Sequence, residues 1–279
     1  MTPINLQSVI ADLDNLPAAP TVVSQLVELL GRDAVDPREI SRLVAQDPVL
    51  AARCLSLANS SVYGLQRRVA SIPDALAVVG QQAVATMVSS MAVAGRFQQL
   101  QIPGYELRGF WLHSVCTALV ARALAKHTRV NPETAFMAGL LHDIGKLVLA
   151  ARFPEHFVGV IEHQRREDCR MLDAEKRTLG FSHSQIGEAV AESWKFAPEV
   201  ARAVAGHHEP ENHPASTLTS LIHVANVISH TLCFANDADD LAPRISEFAF
   251  DRLCLDWSDI KAVMAEVDAQ RQDAELFLG

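Results

Sequence analysis

The chain has 279 residues, 49% of them hydrophobic and 20% charged, with a formal net charge of −9. That is enough apolar material for a globular protein with a full core, in one large domain or two small ones. The negative charge repels a phosphate backbone, and no cationic cluster larger than Arg67-Arg68 or Arg165-Arg166 offsets it, so nucleic acid is not an expected partner.

Apolar residues recur at helical spacing almost throughout, with no alternating run long enough for a sheet, which predicts an all-α fold of roughly a dozen helices. Asp36-Pro37-Arg38-Glu39 offers an N-cap, a proline in the first turn and a glutamate at N3, and Asp47-Pro48 repeats the cap-then-proline start. Asn59-Ser60 can end the helix that follows, and Val79-Gly80 permits a turn or close packing. Residues Ala75 to Gly95 carry no charge and are long enough to cross a bilayer. Gln81, Gln82, Thr86, Ser89 and Ser90 interrupt the stretch and Gly80 breaks it, so a buried helix is expected rather than a membrane span, with small residues from Ala83 to Gly95 for close helix packing.

Pro103-Gly104 then marks an internal boundary, predicting an N-terminal helical subdomain over residues 1–104 and a second over 105–279 whose first helix starts near Leu107. Asn131-Pro132-Glu133 is a further helix start, and Ser182-His183-Ser184-Gln185 resembles a capping box. The acidic segment from Trp257 to Leu278 reads as one amphipathic helix, on which Trp257, Leu276, Phe277 and Leu278 could also dock on a partner. Cys54, Cys116, Cys169, Cys233 and Cys254 are odd in number with no CxxC pair, which speaks against a disulfide framework or a thiolate zinc site. Together with an N-terminus, Met1 to Asn5, that lacks the features of an export signal, this leads to an expected cytoplasmic location.

All eleven histidines follow the Pro103-Gly104 boundary. His142-Asp143, in the apolar run Leu140 to Lys146, is the most telling, because a buried carboxylate needs a cation or many donors and an adjacent imidazole suggests a transition metal. Taken alone, His113 in Phe110-Trp111-Leu112-His113-Ser114 reads first as a core histidine, and His183 can be a solvated first-turn residue. The pair His207-His208 can equally bind the free carbonyls at a helix end. As a set, these imidazoles and Asp143 would be costly to bury without a metal, with iron, zinc, nickel or manganese favoured over magnesium. His127, His156, His163, His213, His223 and His230 read as surface or structural, with His223 one turn before Asn226 and able to share its face.

The order His113, His142-Asp143, His183, His207-His208, with Lys146 completing His-Asp-x-x-Lys, resembles the HD superfamily of metal-dependent phosphohydrolases, especially its HD-GYP branch. The resemblance implies a two-metal centre whose bridging hydroxide attacks phosphorus. His113, His142 and Asp143 would line one metal, Asp143 would bridge to a second held by His183, His207 and His208, and Lys146 would contact phosphate. The chain departs from that pattern twice. The aspartate that closes the first site in an Ala-Asp pair is Asn226 here, in Val224-Ala225-Asn226, and the stretch from Glu209 to Pro214 lacks the Asp-Gly and Gly-Tyr-Pro residues of HD-GYP enzymes. With Asp143 as the only carboxylate, two divalent ions would keep a net charge of about +3, which weakens the first site.

Leu16-Pro17-x-x-Pro20, then Gln46-Asp47-Pro48-Val49-Leu50 with Arg53-Cys54-Leu55 and Ala58-Asn59-Ser60, then Val69 to Ala75 with Val79-Gly80, are similar to the HDOD family, over about Leu16 to Ser229. This resemblance implies an HD-like helical bundle that serves as a bacterial signalling or regulatory module. Such a module would act through a protein partner, with a structural or vestigial metal centre and no robust catalysis. The alternative is a metal-dependent phosphohydrolase, a phosphodiesterase of HD-GYP type with an altered first site, in which Asp143 and Lys146 would be catalytic. The sequence leaves the oligomeric state open.

Overall fold

Local capping chemistry starts the helices where the sequence places them. In the structure, a computed structural model describing residues 4–12, 20–30, 32, 35–97, 100–232 and 241–277, α1 (Leu6–Ala11) and α2 (Thr21–Leu30) are followed by α3 (Pro37–Val44) and α4 (Pro48–Ala58). The Asp36 carboxylate accepts from Arg38 N at the head of α3, and Asp47 accepts from Val49 N and Leu50 N at the head of α4. Each bond satisfies first-turn donors that have no partner within the helix. Asn59 ends α4 and then ties down the next loop, exchanging hydrogen bonds with Val69 N and Val69 O at 2.8 and 2.9 Å. The Leu16-Pro17 motif, Cys233 and Leu278 lie outside the described residues.

The charge-free stretch from Ala75 to Gly95 is broken at Gly80, whose φ of +98° is readily reached only without a side chain. It therefore forms α5 (Ile72–Val78) and α6 (Gln81–Arg96), and α6 is buried along most of its length against α2, α4 and the later α8 (Pro132–Leu141). Helix α7 (Leu107–Ala125) starts where expected and is central, packing on α8, α14 (Thr217–Leu232) and α16 (Trp257–Ala269). Between α8 and α14 come α9 (Ile144–Arg152), α10 (Pro154–Glu167), α11 (Met171–Thr178), α12 (His183–Ser193) and α13 (Pro198–Gly206). The residues from Pro132 to Arg152, α8 and α9 together, are long and apolar enough to cross a membrane by composition, but 89% of the apolar window is buried inside the protein, and burial accounts for its character. Among the described residues there are no strands beyond an isolated bridge between Ile102 and Tyr105, and no disulfide joins Cys54, Cys116, Cys169 and Cys254.

The expected single helix from Trp257 to Leu278 is corrected. After α15 (Glu247–Leu253), α16 ends at Ala269 and the chain turns into a short 3-10 segment, Asp273–Phe277. The cause is tertiary. Ser61 N donates to Asp273 Oδ2 at 2.7 Å, Arg53 donates to Phe277 O at 3.0 Å, and the Phe277 ring stacks on Phe136 with centroids 5.3 Å apart. Phe277, only 1% exposed, is therefore core, whereas Trp257 is 66% exposed beside Phe250.

Candidate metal centre

The functional side chains sit at helix ends and junctions. His142 caps the C-terminus of α8 and Asp143 the N-terminus of α9, His183 opens α12, and His207 caps α13. His113 comes from α7 and Asn226 from α14. Asp143 is the hub. Its Oδ1 lies 3.1 Å from His183 Nε2 and 3.6 Å from His207 Nε2, and its Oδ2 lies 3.3 Å from His142 Nε2 and 3.9 Å from His113 Nε2. His208 Nε2 approaches His183 Nε2 at 3.0 Å, and His113 Nε2 approaches His142 Nε2 at 3.3 Å. The donor atoms form two overlapping groups, Asp143 with His183, His207 and His208, and Asp143 with His113 and His142. The structure thus brings together every histidine of the predicted set.

Hydrogen bonds on the far side of the rings fix what faces inward. His142 Nδ1 contacts Gly139 O at 2.7 Å, His207 Nδ1 contacts Val204 O at 2.7 Å, and His183 Nδ1 contacts Glu175 Oε2 at 2.7 Å. A carbonyl or carboxylate only accepts, so each Nδ1 carries the proton and each Nε2, in the neutral ring, presents a lone pair. His113 follows the same logic. Ser229 Oγ donates to Asn226 O at 2.8 Å, and its 3.4 Å contact with His113 Nδ1 is therefore one in which the ring donates. Lone pairs converge on other lone pairs and on the Asp143 oxygens, an arrangement that is repulsive unless a proton or a metal cation lies among them. Asp143 Oδ1, His207 Nε2 and Asn226 Oδ1 are buried with no hydrogen-bond partner. These orphaned atoms and this imidazole-rich donor set fit a divalent transition metal.

The electrostatics agree. Burial disfavours charge on His183, but the Glu175 and Asp143 carboxylates outweigh it and lift its pKa to about 9. Burial lowers His207 to about 4, against the attraction of Asp143, and it pushes His113 and His208 well below the usual imidazole range, reinforced by neighbouring imidazoles. Asp143 stays ionised despite burial, because His142, Lys146 and His183 surround it. Lys146 lies one turn along α9, 6% exposed, with Nζ 2.7 Å from Asp143 Oδ2.

Two residues that sequence reasoning did not single out in these roles complete the surroundings. Glu175 on α11 is fully buried and accepts from both His183 Nδ1 and His183 N, orienting the ring. Its signal was present in the sequence: it lies three and four residues after Leu172 and Met171, on the apolar face of its helix. His223, three residues before Asn226 on α14 and buried like it, is also a brace. Its Nδ1 donates to His207 O at 2.8 Å and its Nε2 accepts from Ser246 N at 2.9 Å. Removing the orienting carboxylate with Glu175→Ala is expected to weaken metal binding by about 10–100-fold, while Glu175→Gln, which can still accept, loses less. Competition with a chromophoric chelator measures both, and equal affinities in all three proteins would rule out the role.

A sequence profile of the HDOD domain matches residues 16–210. An uncharacterized protein of Treponema pallidum (strain Nichols) is 28% identical over 229 residues, which cover 80% of this chain and 44% of that one, so the chain spans less than half the length of that curated relative. Three solved structures share the fold. A protein from Shewanella amazonensis SB2B, provisionally named a phosphohydrolase, has a TM-score of 0.77 and 26% identity over 98% of both chains. An HDOD domain protein of unknown function from Geobacter sulfurreducens has a TM-score of 0.80 and 24% identity over 98% of both. A protein from Marinobacter aquaeolei VT8, provisionally named for signal transduction, has a TM-score of 0.75 and 25% identity over 100% of this chain and 62% of its own. With the profile running from before α2 to the end of the His207-His208 helix, the chain belongs to the HDOD domain family.

Proposed function

We propose that this chain is a cytoplasmic HDOD regulatory module that works through contacts with a protein partner. In this reading residues 1–104 form its N-terminal subdomain and 105–279 carry a metal centre that fixes the domain's geometry rather than hydrolysing phosphoesters robustly. Asp143, His183, His207 and His208 would hold the divalent transition metal, which when bound supplies Lewis acidity and a cross-link between α9, α12 and α13. One observation carries the reading: Asp143 is the only carboxylate among the donors of both groups, and one of its oxygens already bonds Lys146.

Two divalent ions about 4 Å apart repel by about 17 kcal/mol at an effective dielectric of ~20, and anionic ligands must offset that. Asn226 offers none. The phosphohydrolase reading draws on the second donor group, His113 with His142 and Asp143. Metal analysis combined with turnover assays on cyclic dinucleotides and generic phosphodiesters separates the two. The expected result is about one metal per chain, lost in His183→Ala, with a higher metal content in Asn226→Asp and no turnover above background in either protein. Robust turnover by the native chain that disappears in Asp143→Ala overturns the proposal.

A further inference from the structure

A groove of about 360 Å³ lies between α2, α6 and α8, bordered by the turn from α12 to α13, and shares no residue with the histidine cluster. Its size falls in the range of small-molecule sites. Leu26, Leu30, Met137 and Phe196 make its walls largely apolar. Ser89 of α6 also lines it, only 4% exposed, and its hydroxyl makes no hydrogen bond among the described residues, so its partner comes from whatever fills the groove.

Lys195 sets the charge of the groove. Glu133 lines it too, but its Oε2 is shut off from solvent and burial disfavours its charged form. Lys195 is exposed, and among the described residues no carboxylate pairs with its ammonium. Its backbone is fixed by the turn that ends α12, in which Lys195 N donates to Glu192 O and Phe196 N to Ala191 O. The φ of +58° at Lys195 favours glycine, so the chain holds a cation beside the apolar wall at a conformational cost that glycine would avoid.

We propose that this groove binds a small monocarboxylic acid, with its apolar body against Leu26, Leu30, Met137 and Phe196 and a carboxylate oxygen accepting from Lys195 Nζ. A charge-assisted hydrogen bond of this kind is stronger than one between neutral groups, and the flexible lysine stem lets the ammonium follow the carboxylate. A cationic ligand would meet Lys195 as a like charge.

Isothermal titration of the full chain with 4-phenylbutyrate, and with 4-phenylbutanol and 4-phenylbutylamine as matched neutral and cationic probes, tests this. The carboxylate is expected to bind most tightly and the amine least. Lys195→Gly removes the ammonium and suits the backbone, so it should stay folded, bind the carboxylate about fivefold or more weakly and leave the alcohol unchanged. A carboxylate held by a metal in the histidine cluster would instead bind this variant as tightly as the native chain. Val27→Phe, which fills the groove from the partly exposed α2 wall, should abolish binding. Circular dichroism establishes that each variant is folded, and Lys195→Gly carries the test should Val27→Phe fail to fold. No carboxylate binding up to about 5 mM, equal binding of the three probes, or carboxylate affinity unchanged in a folded variant overturns the inference.

Discussion

Asp143→Ala is expected to empty the centre of metal and to destabilise the fold by about 3–5 kcal/mol, the cost of removing one partner of a buried ion pair. Both consequences trace to one carboxylate, 2% exposed, whose two oxygens face four imidazoles and a lysine. Without it, Lys146 is left 6% exposed with its closest counter-charge gone, while the imidazoles lose the only anion of their donor groups. The double variant Asp143→Ala/Lys146→Met separates the two effects. An apolar chain of similar length in place of the buried lysine should recover most of the lost stability, because a missing buried pair costs far less than half of one. It should recover none of the metal. Urea denaturation of the single and double variants, with metal content by mass spectrometry, reads both quantities. A double variant as unstable as the single one would show that Lys146 does not carry the electrostatic cost.

How much of this was legible in the sequence depends on how local the physics is. The starts of α3, α4 and α8 are set by Asp36, Asp47 and Asn131 bonding amides two or three residues away, so the sequence displays them directly. The break at Gly80 is equally local, since a φ of +98° is a property of one residue. The site was legible through its residue types: histidines and an aspartate in apolar helices announce a cost that only a partner can remove. Glu175 was missed because its meaning depends on α11 folding back on α12 to meet His183, a contact that no spacing rule encodes. The end of α16 at Ala269 was missed for a similar reason. Nothing in its own sequence stops that helix, and the segment leaves it to dock Asp273 on Ser61 and Phe277 on Phe136.

Gly145→Ala should be among the most damaging glycine-to-alanine changes at the described residues. Gly145 is the second residue of α9, where alanine would ordinarily improve helix stability by about 1 kcal/mol. Here a Cβ would stand 2.0 Å from His183 O and 2.8 Å from Gly187 N, both backbone atoms that cannot swing aside. The glycine of the His-Asp-Ile-Gly-Lys run thus lets α9 and the first turn of α12 touch, and that contact holds Asp143 and His183 within 3.1 Å of each other. Relieving the overlap means moving α12 outward, which carries His183 off the metal position. The expected cost is about 3 kcal/mol or more in stability, at or beyond the upper end for overpacking, together with a metal affinity reduced by more than about tenfold. Gly95→Ala is the matched control: it also lies in a helix, a Cβ there meets nothing within 4 Å, and the change should be neutral or stabilising by up to about 1 kcal/mol. If denaturant midpoints and chelator competition find the two variants alike, the close approach of α9 and α12 is not what positions the centre.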